Sequence, residues 1–158
     1  LVTYVQLGAG RINDIDSDVR QVVDALLEHE GMYVVLGESL LGDRLKVEID
    51  RVIIIRDYPN ALFFNAFDYS IQAGGYNSFH EMRRQGIPTL FLPNMETGMD
   101  DQLARCKVAE EEGWGIVASQ SLSESINRLL DHGKISGISS IENGSDVLAR
   151  KLIEENNE

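Results

Sequence analysis

The pair Gly74-Gly75 separates a short apolar run from a helical one, and this junction constrains the fold more than any other feature of the chain. Before it, Asp68-Tyr69-Ser70-Ile71-Gln72-Ala73 has the length and content of a buried strand. After it, Tyr76 to Gln85 carries its apolar residues Tyr76, Phe79 and Met82 at a spacing that puts them on one helix face. Gly86 closes that helix, Pro88 follows, and Thr89-Leu90-Phe91-Leu92 is a further strand ended by Pro93. Glycines between a strand and a helix let the backbone approach a ligand closely. The helix start behind them offers unpaired N–H groups and a partial positive charge, which suits a phosphate. Glu81, on the first or second turn, is placed to accept hydrogen bonds from sugar hydroxyls.

The rest of the chain repeats this alternation. Val2 to Leu7 is a β-branched and aromatic strand ending at Gly8-Ala9-Gly10, although Asn13 occupies the third glycine position of the dinucleotide fingerprint. A helix follows, capped by Ser17 or Asp18, running to about Glu30 with Val19, Val22, Val23, Leu26 and Leu27 as its stripe. Met32 to Gly37 is a strand, Glu38 to Asp50 is undecided, and Arg51 to Ile55 reads as a third buried strand. Asn60 to Ala66 is a short helix. Met99 or Asp100 to Glu112 is a helix with Leu103, Cys106, Val108 and Ala109 inward, and Trp114 to Val117 is the last strand. Helices from Ser121, burying Leu122, Ile126, Leu129 and Leu130, and from Ser145 to Glu155 flank a loop at Lys134 to Ser140. Strands alternating with helices, without hairpin signals, make this an α/β chain: a Rossmann-like doubly wound parallel sheet of about six strands with helices on both faces. Ligands of such sheets sit beyond the carboxyl ends of the strands, so the loops after Leu7, Ile55, Ala73 and Leu92 form the expected site.

At 158 residues the chain is one domain with room for a sizeable core. A net charge of −12 argues against nucleic-acid wrapping and anionic membrane surfaces, but a diphosphate can be held by backbone amides alone. No run approaches the roughly 18 apolar residues of a membrane span. The single Cys106 excludes an internal disulfide, fits a reducing, cytoplasmic compartment, and reads as a buried structural thiol. Asn143-Gly144-Ser145 matches a glycosylation acceptor by chance. His80 reads as a surface or packing histidine, and no set of His, Cys and carboxylates has metal-ligand spacing.

Gly75-Tyr76-Asn77-Ser78, Glu81, Gly86-Ile87-Pro88, Pro93 and Asp101-Gln102, in that order, resemble the signature of nucleotide-sugar glycosyltransferases of the GT-B type. The pattern is similar to the UDP-glycosyltransferases and to glycosyltransferase family 28, and spans roughly Val2 to Leu130, the second half of such an enzyme. The resemblance implies that Gly74, Gly75, Asn77 and Ser78 hold the donor diphosphate and that Glu81 binds the ribose. It implies that Asp101 and Gln102 contact the donor sugar, that the segment around Asp57 and Tyr58 reads the base, and that Gly8, Gly10 and Arg11 line the loop near the phosphates. The sequence departs from the plant-type pattern where Ala73 replaces a histidine, where Asp57 replaces a stacking tryptophan, and in a longer loop from Asn94 to Asp100.

The expectation is therefore the donor-binding, C-terminal half of a glycosyltransferase moving a hexosyl group from a UDP- or dTDP-type sugar to an acceptor hydroxyl. The nucleotide sugar is substrate, and no cofactor is expected. The acceptor site and catalytic base would come from an N-terminal domain or partner subunit, with the chain an excised domain that is inactive alone. The alternatives are a stand-alone subunit of a two-part N-acetylglucosaminyltransferase, a GT-B-type epimerase, or a non-catalytic nucleotide-binding module. A flavodoxin-like module would leave Asn77, Ser78, Glu81 and Asp101-Gln102 unexplained.

Overall fold

The computed structural model describes residues 1–8, 15–38, 48–56, 58–95, 100–133 and 144–155. Six strands, β1 (Val2–Gln6), β2 (Tyr33–Gly37), β3 (Val52–Ile55), β4 (Tyr69–Gln72), β5 (Thr89–Phe91) and β6 (Gly115–Val117), form one sheet in the order β3-β2-β1-β4-β5-β6. Every pairing is parallel. The helices are α1 (Ile15–Leu27), α2 (Tyr76–Gln85), α3 (Gln102–Glu111), α4 (Leu122–Asp131) and α5 (Gly144–Glu155), with a 3₁₀ helix at Asn60–Ala66.

Strand alternation sends successive side chains to opposite faces and divides the core in two. Val5, Val34, Leu36, Ile71, Leu90 and Ile116 point to one face and meet α1 and α4 through Val22, Val23, Leu26, Ile126 and Leu129. Tyr4, Val35 and Phe91 point to the other face and meet Phe64, Phe79, Met82, Cys106 and Trp114. The rings of Tyr4 and Phe67 stack at 4.9 Å, and Phe79 and Phe91 both pack against Trp114. Strands covered on both faces carry little alternation of polarity, which is why the apolar runs were legible as strands.

Several expectations are corrected. β3 is an edge strand, and Ile53 is 55% exposed, because an edge position leaves part of a β-branched run without a covering neighbour. Tyr76 does not share the buried face of Phe79 and Met82 but stands 64% exposed at the first position of α2. Val108 is also exposed, since the inward stripe of α3 runs through Gln102, Cys106 and Ala109. α1 starts earlier, at Ile15, and ends at Leu27. α3 starts later, at Gln102, and Leu122 and Leu130 are half-buried. The expected loop at 134–140, Asn143, the tail 156–158 and most of the undecided segment after Glu38 lie outside the described residues.

Candidate functional site

The strand order reverses between β1 and β4, so the crevice of the sheet opens at their carboxyl ends. β1 delivers Gln6, Leu7 and Gly8 to this edge, and β4 delivers Ala73, Gly74 and Gly75. Gly74 has φ +83, a conformation that costs an L-residue energy. A Cβ there would overlap the Cys106 sulfur and touch the Phe91 ring at 3.5 Å. Gly74 is thus glycine because α3 packs against the turn. Gly75 is different: a Cβ there would meet nothing within 4 Å among the described residues.

Gly75 caps α2 without a side-chain bond, and its carbonyl accepts the Phe79 N–H at 2.9 Å. The N–H groups of Tyr76, Asn77 and Ser78 precede the first intrahelical bond and have no partner within the helix. α2 ends at Gly86, a left-handed cap with φ 65 and ψ 30. Arg83 and Arg84 lie in its last turn, favouring the dipole that makes its first turn positive.

A polar network lies under this edge. The Tyr4 hydroxyl donates to Gln6 Oε1 at 3.1 Å and accepts from Asn60 Nδ2 at 3.0 Å. Burial pushes the Tyr4 phenol up to about 12, and the Asn60 hydrogen bond opposes this. Glu81 is exposed on α2, yet partial burial raises its carboxyl above the ordinary value. Asn60 Oδ1 and Gln72 Oε1 are buried acceptors without a hydrogen-bond partner among the described residues. Tyr58 donates to the Glu38 carbonyl, while the Glu38 carboxylate, itself largely buried, pairs with Arg56 at 2.9 Å. Arg56 and Tyr58 are therefore both tied to the end of β2.

On the far side, the Asp101 carboxylate caps α3 by accepting the Ala104 N–H at 2.9 Å. Gln102 is buried; its Oε1 accepts the Asn94 N–H at 3.0 Å and its Nε2 donates to Asp100 at 3.3 Å. Arg105 donates to the Gly74 carbonyl at 2.7 Å and forms an ion pair with Asp100. That guanidinium holds the Asp100 carboxyl below the usual carboxylate range.

The chain superposes on the spinosyn rhamnosyltransferase SpnG complexed with thymidine diphosphate, with a TM-score of 0.66 at 23% identity, over 82% of this chain and 37% of that one. It superposes on the glycosyltransferase SnogD from Streptomyces nogalater with a TM-score of 0.61 at 17% identity, over 96% of this chain and 42% of that one. The calicheamicin glycosyltransferase CalG4 gives 0.64 at 18% identity, over 87% of this chain and 34% of that one. The chain thus has the Rossmann-like fold of part of these GT-B glycosyltransferases. At such identities the likeness is one of fold, and the chain spans between 34% and 42% of the length of these structures. No protein-family model matches the chain, and no curated protein sequence matches it.

Within this sheet, the expected residues Gly8, Gly74, Gly75, Asn77, Ser78 and Glu81 stand along the β1–β4 crevice or the helix that opens from it. Tyr58 lies beside the end of β2, and Asp101 and Gln102 begin α3. Gly10, Arg11 and Asp57 lie outside the described residues. His80 is exposed between the rings of Tyr76 and Phe79, and partial burial, then the charges of Arg83 and Arg105, make it harder to protonate. Cys106 is fully buried, and burial raises its thiol to about 12, which makes it a packing group rather than a nucleophile. Among the described residues no group of His, Cys, Asp and Glu could hold a metal, and no helix is long and apolar enough to cross a membrane. Sequence reasoning missed Tyr4, Gln6 and Arg105. Tyr4 and Gln6 alternate with core residues along β1, so only their partner Asn60 reveals them as a polar pair.

Proposed function

We propose that this domain binds the nucleoside-diphosphate sugar of a glycosyltransferase, of UDP or dTDP type, for hexosyl transfer to an acceptor hydroxyl. The observation that carries the reading is the Gly74-Gly75 turn into α2 at the reversal of strand order, in a fold shared with sugar-transferring enzymes. The amides of Tyr76, Asn77 and Ser78, with the Ser78 hydroxyl, would hold the diphosphate and stabilise its charge as the sugar departs. Glu81 would accept from the ribose hydroxyls. The loop around Asp57 and Tyr58 would meet the base, with Gly8, Gly10 and Arg11 closing over the phosphates. Asp101 would contact sugar hydroxyls directly, while Gln102 shapes the loop beside it. The general base and the acceptor site would be supplied from outside this chain, in a second domain or subunit, and the domain alone would transfer no sugar. The thymidine diphosphate bound by SpnG supports a diphosphate ligand in this fold.

Thermal unfolding with UDP, dTDP, GDP and ADP tests the reading. Ligand at about 100 times its Kd stabilises by about 2.7 kcal/mol, a readily measured rise in Tm. A rise for one nucleotide, reduced in Glu81→Gln for the ribonucleotide but not for its 2′,3′-dideoxy analogue, supports the assignment. No rise with any of them at millimolar concentration contradicts it.

A further inference from the structure

Arg105 touches the glycine turn from a neighbouring helix. From α3 its Nη1 donates to the Gly74 carbonyl at 2.7 Å, and Nη2 pairs with Asp100. The guanidinium carbon stands 5.5 Å from the centroid of the exposed Tyr76 ring. Its side chain is only 20% exposed, so the charge is held in place rather than left to sweep through solvent.

The bond to Gly74 determines how the turn presents itself. In a planar trans peptide the carbonyl and the next N–H point in opposite directions. Drawing the Gly74 carbonyl toward α3 therefore turns the Gly75 N–H away from the guanidinium. An anion cradle needs its N–H groups facing the ligand and its carbonyls facing elsewhere. A glycine at φ +83 has no side chain to resist rotation of this peptide, so the orientation must be imposed from outside. Cys106, the next residue on α3, fills with its sulfur the space a side chain at Gly74 would need. Both constraints come from consecutive residues of one helix.

We propose that Arg105 is a positioning residue for diphosphate binding: it fixes the Gly74–Gly75 peptide with its N–H available to the phosphates and keeps a positive charge beside the start of α2. The inference rests on the donor-binding reading above. At His80, burial first and then the charges of Arg83 and Arg105 disfavour protonation, in a chain whose net charge is −12. Asp100 neutralises part of the Arg105 charge and orients its planar fork, a task a lysine cannot share between two acceptors with the same geometry.

The test is NMR titration of the chain and of Arg105→Gln and Arg105→Lys with thymidine, dTMP and dTDP, and with the uridine series. Losing a charge-assisted bond and its field should weaken diphosphate binding by about tenfold or more. Nucleoside affinity should stay within about twofold, because the nucleoside does not reach the turn. Arg105→Lys should fall between, and the Gly75 and Tyr76 amide resonances should move in both variants before any ligand is added. Unchanged diphosphate affinity in Arg105→Gln, or a parallel loss for nucleoside and diphosphate, overturns the proposal while leaving donor binding intact. Failure of the unsubstituted chain to bind any nucleoside diphosphate overturns both.

Discussion

Replacing Gly74 by alanine probes the construction of the candidate site at its tightest point. Gly74 has φ +83, where an L-residue is disfavoured by about 1–2 kcal/mol. The new Cβ would also overlap the Cys106 sulfur, closer than the 3.0 Å that real Cβ atoms keep. Forcing a methyl group into a packed position adds about 1–3 kcal/mol. Gly74→Ala should therefore destabilise by about 2–5 kcal/mol. Cys106→Ala removes one buried heavy atom and should cost about 1 kcal/mol. In the double variant the methyl occupies the space the sulfur leaves, so only the backbone strain and the lost sulfur remain, about 2–3 kcal/mol. The two substitutions should thus be non-additive by about 1–3 kcal/mol, with the double variant more stable than the sum of the single losses implies. Urea unfolding followed by the fluorescence of the buried Trp114 measures each arm of the cycle. Additivity within about 0.5 kcal/mol would refute the claim that α3 dictates glycine at this turn.

Two further outcomes follow from the same geometry. Tyr4 and Cys106 each keep their proton in the fold to about pH 12, against ordinary values of 10.0 and 9.0. The folded state then binds more protons than the unfolded chain at these two groups, so their contribution to stability should be level below pH 9 and fall from there toward pH 12. Tyr4→Phe and Cys106→Ala should each flatten that decline in urea midpoints measured across alkaline pH, and an unchanged slope in both would be contrary evidence. Asp101→Ala removes the cap of α3 and should lower stability by about 1 kcal/mol in urea unfolding, whereas Asp101→Asn, which retains an acceptor, should lose less than half of that.

The general architecture was legible because each layer follows from local pattern. Val2–Gln6, Tyr33–Gly37 and Thr89–Phe91 are apolar runs of strand length, and Val19, Val22, Val23 and Leu26 repeat at helical spacing between them. Parallel order follows once strands alternate with helices. Neighbouring elements were harder to read. The run Val52–Ile55 is as β-branched as a central strand, and nothing in its composition says that it ends the sheet. Tyr76 and Val108 fit an inward stripe by spacing, but helix period fixes only which residues share a face, not how far burial extends around it.

The site was legible in outline and opaque in construction. Gly74 and Gly75 marked the turn, but the physical need for each differs, and the difference depends on Cys106, more than thirty positions away in sequence. The bonds Tyr4–Asn60 and Arg105–Gly74 join residues that only the tertiary fold brings together. Asp101 and Gln102 match the donor-sugar pair of the glycosyltransferase signature. Their present hydrogen bonds show local work for both, as the cap of α3 and as the brace of the Asn94 loop.

The proposed function puts a nucleotide-sugar site in the crevice at the ends of β1 and β4. Its most direct test is an amide NMR titration of the whole chain with UDP, dTDP, GDP and ADP. Saturable shifts concentrated in Gly74 to Glu81 and around Tyr58, with one base preferred over the others, are the expected result. Saturable binding whose shifts lie at another face of the sheet, or the absence of any shift in Gly74 to Glu81 at millimolar nucleotide, would contradict it.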